Sequence, residues 1–293
     1  MSDFDRNYTA RTGFGAQRAA AIDAGLRAYM IRVYNYMAAG VALTGVVAWL
    51  TYNAAVVTNA AGQITGLTPF GQAIFGGPLT LILFLGTLGL VFFMSFRISH
   101  LQPSTALGLF MLYAGLLGLM LSSVFLAYTG ASITRTFFIS AASFGALSLY
   151  GYTTQRDLSP VGSFLVMGLF GLILAMIVNI FLKSTGLDFA ISAIGVLIFA
   201  GLTAWDTQRI KEMYDTNDDG TITGRKAVMG ALTLYLDFIN LFLFLLRFMG
   251  DRRYARTTEP NDAPGPCARA FCLARSAFIL MVRSAGAARG SSG

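Results

Sequence analysis

Apolar residues along this chain gather into seven long runs: 29–52, 79–96, 105–127, 137–152, 161–182, 189–205 and 227–249. A helix that crosses a bilayer needs about 20 mostly apolar residues, so each run reads as a membrane span. The fourth and sixth runs are short and bear Gly and Ser. The first 28 residues are polar and carry Arg6, Arg11, Arg18 and Arg27. They lack the short apolar core and cleavage site of a signal peptide. Small residues recur inside the spans: Gly40 and Gly45, Gly86 and Gly89, Gly115 and Gly118, Gly168 and Gly171. None of these pairs is a strict GxxxG, but each falls broadly on one side of a helix, which predicts close helix packing in a compact bundle.

Composition agrees with the pattern. Charged residues make up 12% and hydrophobic residues 55% of the 293, against roughly 25% charged in a soluble domain. Mean hydropathy is +0.64. This excludes an ordinary soluble enzyme and a disordered chain. The fold class expected is therefore an all-α integral membrane protein with seven transmembrane helices. The domain plan is a polar amino-terminal tail over 1–28, a transmembrane domain over 29–250 and a basic tail over 251–293. That tail is rich in Pro, Arg, Ala and Gly and is expected to be disordered. Its only apolar stretch, 267–282, contains Arg269 and Arg275 and is too short and too charged to span. It holds seven of the 21 basic residues and three of the 14 acidic ones, so more than half of the net +7 lies there. The basicity gives no support for nucleic-acid binding. The two cysteines, Cys267 and Cys272, also lie in the tail and imply no disulfide framework.

The basic residues before the tail are unevenly shared between the two sides. The side of the amino terminus holds Arg6, Arg11, Arg18, Arg27, Arg32, Arg97, Arg156, Arg209, Lys211, Arg225 and Lys226. The opposite side holds Arg135 and Lys183. The bias predicts a cytoplasmic amino terminus. Arg252, Arg253 and Arg256 oppose it, because seven full spans send them outside.

An ionisable residue inside a span is expensive and marks a functional site by default. Asp237 lies amid apolar neighbours near the middle of the seventh run. Asp206 ends the sixth, and Arg97 ends the second. Asp237 can approach Asp206 only if the end of the sixth helix is drawn into the bundle. Two close carboxylates in low dielectric cannot both ionise, so such a pair shares a proton. Losing that proton adds repulsion between the two helices. The competing reading has Asp206 capping a helix end, Asp237 bonded to a nearby Ser, Thr or Asn, and Arg97 snorkelling at the membrane edge.

The stretch Gly201-Leu202-Thr203-Ala204-Trp205-Asp206-Thr207-Gln208-Arg209-Ile210, followed by Ala231-Leu232-Thr233-Leu234-Tyr235-Leu236-Asp237-Phe238-Ile239-Asn240-Leu241-Phe242, resembles the signature of the Bax-inhibitor (transmembrane Bax-inhibitor-motif) family. Residues 26–37 are similar to its bacterial branch. The resemblance covers about residues 20–250. It implies six helices surrounding a central C-terminal seventh. It also implies a pH-sensitive calcium leak in which Asp206 and Asp237 match the proton-sensing aspartate pair, with Arg97 as a possible counter-charge. Bacterial members are tied to modulation of a membrane-bound quality-control protease. The expected setting is thus a bacterial inner (plasma) membrane, with calcium as transported ion and no resident cofactor. A non-conducting regulatory protein that binds a membrane protease is the alternative.

The loop between the aspartates is longer than in typical members. Its residues 215–226 fit D-x-[DN]-x-[DN]-G, with Asp215, Asn217, Asp219, the Thr221 carbonyl and Thr223 at the oxygen-ligand positions of a calcium loop. Lys226 stands where a bidentate Glu is needed, which favours an ordinary charged loop. No zinc cluster, Walker loop or GxSxG occurs, and His100 sits at a span edge. The Trp-Asp-Thr and Leu-Asp-Phe contexts are not those of an intramembrane aspartic protease. The chain is expected not to be an enzyme.

Overall fold

A computed structural model describes residues 3–59, 64–97 and 100–251, with side chains described from Ile22 onward, Pro78 excepted. The predicted tail therefore lies outside the described residues, apart from Asp251. The chain builds α1 (Asp3–Ala55), a small hairpin of β1 (Val56–Thr58) and β2 (Ile64–Leu67), then α2 (Pro69–Gly76) and α3 (Pro78–Arg97). There follow α4 (Pro103–Leu121), α5 (Ser123–Ala127), α6 (Gly130–Thr153), α7 (Ser159–Leu182), α8 (Thr185–Glu212) and α9 (Gly220–Met249). Each of the seven predicted runs is helical, the third with a break at Ser122. The segment read as a polar amino-terminal tail is helical from Asp3 and continuous with the first span.

The boundaries follow local chemistry. Thr68, Thr129, Ser184 and Asp219 cap α2, α6, α8 and α9 by accepting a bond from a backbone N–H in the first turn, the standard satisfaction of an orphan donor. Prolines open α2, α3, α4 and α7, where a missing N–H costs nothing. The third run breaks at Ser122. The hydroxyls of Ser122 and Ser123 bond back to the carbonyls of Leu119 and Met120, and these competing bonds divide α4 from α5.

Among the described residues, six helices are long and apolar enough to cross a membrane: α1, α3, α4 (with α5), α7, α8 and α9. The fourth run, α6, has the length but not the apolarity. Its buried face carries Ser132, Thr136, Ser140, Ser148 and Gly151 at steps of three, four or eight residues. Small groups there let helices approach: a Cβ at Gly151 would lie 2.1 Å from the Ala204 carbonyl oxygen of α8.

The last described helix, α9, is the axis of the bundle. Buried positions fill 89% of the most apolar stretch of α9, against 44% or less in the other five candidate spans. It packs against α1, α4, α6 and α8, while α3 leans on α4 and α7 on α8. The enclosure expected from six helices is thus made closely by four, with α3 and α7 at the periphery. Large apolar side chains such as Phe96, Phe164, Phe181 and Leu197 stay exposed on the outside of α3, α7 and α8. Such surfaces suit hydrocarbon and would be a liability in water. Asp251 follows α9 and pairs with the start of α6: its N–H donates to the Ser132 hydroxyl, and its carbonyl accepts from Thr129. α9 therefore runs the whole length of the bundle.

Candidate functional site

Asp206 is not at the end of its helix. α8 continues for six residues beyond it, and Asp206, Thr207, Gln208 and Ile210 are all buried. The helix end is drawn into the bundle, the condition that the sequence left open. The reason is visible in its polar ties. The Gln208 amide donates to the Arg156 carbonyl at 2.8 Å and accepts from the Leu158 N–H at 2.9 Å. Lys211 donates to the Tyr152 carbonyl in the last turn of α6 at 2.9 Å and sits over that tyrosine's ring, so a cation meets the negative end of a helix dipole. On α9, Arg225 donates to the Leu101 carbonyl at 2.6 Å and holds the α3–α4 link. Some of the cations that the orientation bias rests on therefore also fasten loops.

The register of α8 on α9 puts the two aspartates at matching levels of the helix pair. Phe199 and Phe244 stack with ring centroids 5.5 Å apart, and Gly195 leaves room for the Phe244 ring. Nearer the other end, Ile210 lies against Gly230. Asp206 follows Phe199 by seven residues and Asp237 precedes Phe244 by seven. In antiparallel helices the two acids hold the same mutual relation as the two rings, about two turns (~10.5 Å) further along. Each is 2% exposed.

Hydroxyl groups surround this level of the seam. The Ser148 hydroxyl of α6 lies 2.9 Å from that of Thr207 and also meets Tyr34 of α1. Thr207 and Thr203 bond back to carbonyls one turn earlier in α8. On the far side of α9, the Tyr235 hydroxyl lies 2.7 Å from that of Thr44, which is within 2.9 Å of the Gly40 and Ala114 carbonyls. Phe110 and Tyr113 meet the Tyr235 ring edge-on. That face of α9 is fastened to α1 and α4, and the aspartate face is turned to α8.

Arg97 is not brought into this cluster. It is exposed at the end of α3, on a helix that packs against α2 and α4, as a residue at a membrane edge would be. His100 is exposed in the following turn.

The 215–226 loop is used differently from a calcium loop. Asp215 accepts from the backbone and side-chain N–H groups of Asn217 at 2.9 and 3.0 Å. Asp219 caps α9 through the Ile222 N–H at 2.7 Å, and its carbonyl accepts from the Thr223 hydroxyl. Thr221 and Thr223 lie inside the first turns of α9, and Lys226 pairs with Asp218. Among the described residues no three acidic, His or Cys side chains gather as a metal site. A cation here would have to displace the helix cap.

One charged pair carries no motif in the sequence. At the opposite end of the seam, the Arg247 guanidinium pairs with Asp188, its Nε donating to Oδ2 at 2.9 Å. The Asn179 amide donates to Asp188 Oδ1 at 3.2 Å. The available signal was Arg247 itself, a cation enclosed by Phe244, Leu245, Leu246 and Phe248. Its side chain is almost fully buried.

Comparison with known proteins agrees with the residue pattern. Residues 26–254 match the family described as inhibitors of apoptosis-promoting Bax1. An uncharacterized protein of Rickettsia prowazekii, RP147, is 52% identical over 253 residues, covering 86% of this chain and all of that one. The inner membrane protein YbhL of Escherichia coli K12 is 47% identical over 234 residues, 78% of this chain and 94% of YbhL. An uncharacterized Caulobacter vibrioides protein is 44% identical over 260 residues, covering 86% of this chain and all of that one.

Proposed function

The chain belongs to the Bax-inhibitor family, and from that premise we propose that it is a passive, pH-regulated calcium or cation leak gated by Asp206 and Asp237. The observation that supports this is the burial of both acids, each 2% exposed, on the single seam between α8 and α9. Two carboxylates held close in low dielectric cannot both ionise, so closure calls for a shared proton. Its loss leaves two negative charges in a poorly solvated site, and their repulsion loosens α8 from α9. Tyr235 and Thr44 hold the opposite face of α9, so the motion falls on the α8 side. Arg97 has no part in this gate. α6 serves as the seventh span, its polar face turned inward. The setting is a bacterial inner membrane, as the name of the YbhL relative states for that protein, with the amino terminus on the cytoplasmic, Arg-rich side.

Calcium flux into proteoliposomes between pH 6 and 8 tests the reading. The wild-type chain should leak with a pH-dependent rate, and Asp206→Asn and Asp237→Asn should each flatten that dependence. An unchanged pH profile in both variants would remove the sensor role. Absence of flux from the purified chain at every pH would favour the non-conducting regulator of a membrane protease, to be sought by crosslinking.

A further inference from the structure

We propose that Asp188 and Arg247, with Asn179, form a second closure that holds the α8–α9 seam shut at the end opposite the aspartate pair. The ion pair joins the first turn of α8 to the last turn of α9. It is built into a rigid corner. Asn179 of α7 accepts from the Ser184 N–H at 3.1 Å while its amide donates to Asp188. Between them Lys183, the C-cap of α7, takes a left-handed conformation, φ 49° and ψ 31°, which is uncommon for a non-glycine residue. Asp188 is thus fixed by α7 as well as α8, and Arg247 reaches it from α9. A further salt bridge, Lys226 with Asp218, joins the 215–219 loop to α9 at the far end.

The stacked rings of Phe199 and Phe244 lie between this pair and the aspartates. The seam therefore reads, from one end to the other, as two acids, an apolar section and an ion pair. A path for ions along it meets closures in series, with an apolar section between them that resists wetting. The consequence for flux rests on the leak reading above, whereas the closure itself can be measured without it.

Phe189 and Phe248 supply the reporter positions. Both are exposed, and their rings are 5.0 Å apart beside the ion pair. Spin labels at Phe189→Cys and Phe248→Cys, with Cys267→Ser and Cys272→Ser, would be read by pulsed dipolar spectroscopy in bilayers. A second label pair at Glu212→Cys and Thr221→Cys reports the aspartate end. Arg247→Gln and Asp188→Asn should each shift and broaden the 189–248 distance and leave 212–221 as in the parent. Arg247→Lys should stay close to the parent, and the exchange Asp188→Arg with Arg247→Asp should restore a narrow distance. In proteoliposomes Arg247→Gln should raise calcium flux several-fold at the pH values where the parent conducts. An unchanged 189–248 distance in both single variants overturns the closure, as does equal broadening at both ends, which marks a general brace. If parent and variants all fail to conduct, the leak reading fails, and the 189–248 distance still decides the closure.

Discussion

The two ends of the α8–α9 seam carry opposite chemistry on one pair of helices. At one end two acids, Asp206 on α8 and Asp237 on α9, are buried at matching levels. At the other, Asp188 meets Arg247. Like charges in a dry site depend on a proton, whereas opposite charges hold each other without one. Burial alone therefore does not describe a charged group in a membrane bundle. The sign of its partner decides whether the contact is conditional or permanent.

Substitutions can break or sharpen this contrast, and thermal unfolding in detergent reads them. The largest expected effect is Arg247→Ala, which leaves Asp188 without its guanidinium and should destabilise by about 3–5 kcal/mol. A paired change to Met and Leu should recover much of that loss. Between the ends, Gly195→Ala places a Cβ 2.4 Å from the Phe244 ring, and such overpacking should cost about 1–3 kcal/mol. Away from the seam, Tyr235→Phe removes the bond to Thr44 and should cost about 1 kcal/mol. Asp219→Ala removes the α9 cap and should also cost about 1 kcal/mol. The smallest change in stability is expected for Asp206→Asn and Asp237→Asn, under about 1 kcal/mol, since an amide keeps the shape of a protonated carboxyl. An aspartate-end loss as large as that of Arg247→Ala would erase the contrast.

Much of this arrangement was legible in the residues. The seven runs and the all-α class follow from apolar length, and the two aspartates stand out through the cost of charge in hydrocarbon. What was obscured lay where local composition and tertiary role diverge. The 137–152 run reads as a short, marginal span because Ser and Gly interrupt it, yet Ser140, Ser148 and Gly151 are buried and the helix begins earlier, at Gly130. Asp206 looked like a helix terminus because the polar residues Thr207, Gln208, Arg209 and Lys211 follow it. They continue the helix since the bundle satisfies them, Gln208 through the 156–158 loop and Lys211 through α6. The 53–78 loop offered no charge to read and forms a hairpin and the short α2.

The sequence by itself determined that the chain is a membrane bundle, which long apolar segments are helices and which acids stand out within them. A run of apolar residues and an acid within it act through one-dimensional chemistry, so no fold is needed to see them. The tertiary structure alone decided that α9 is central, that Asp206 and Asp237 lie on one seam, and that Arg247 finds Asp188 59 residues away. Those relations come from the antiparallel register of two helices, set by contacts such as Phe199 on Phe244 and Gly195 beneath it, and no local pattern encodes which residue of one helix faces which of another.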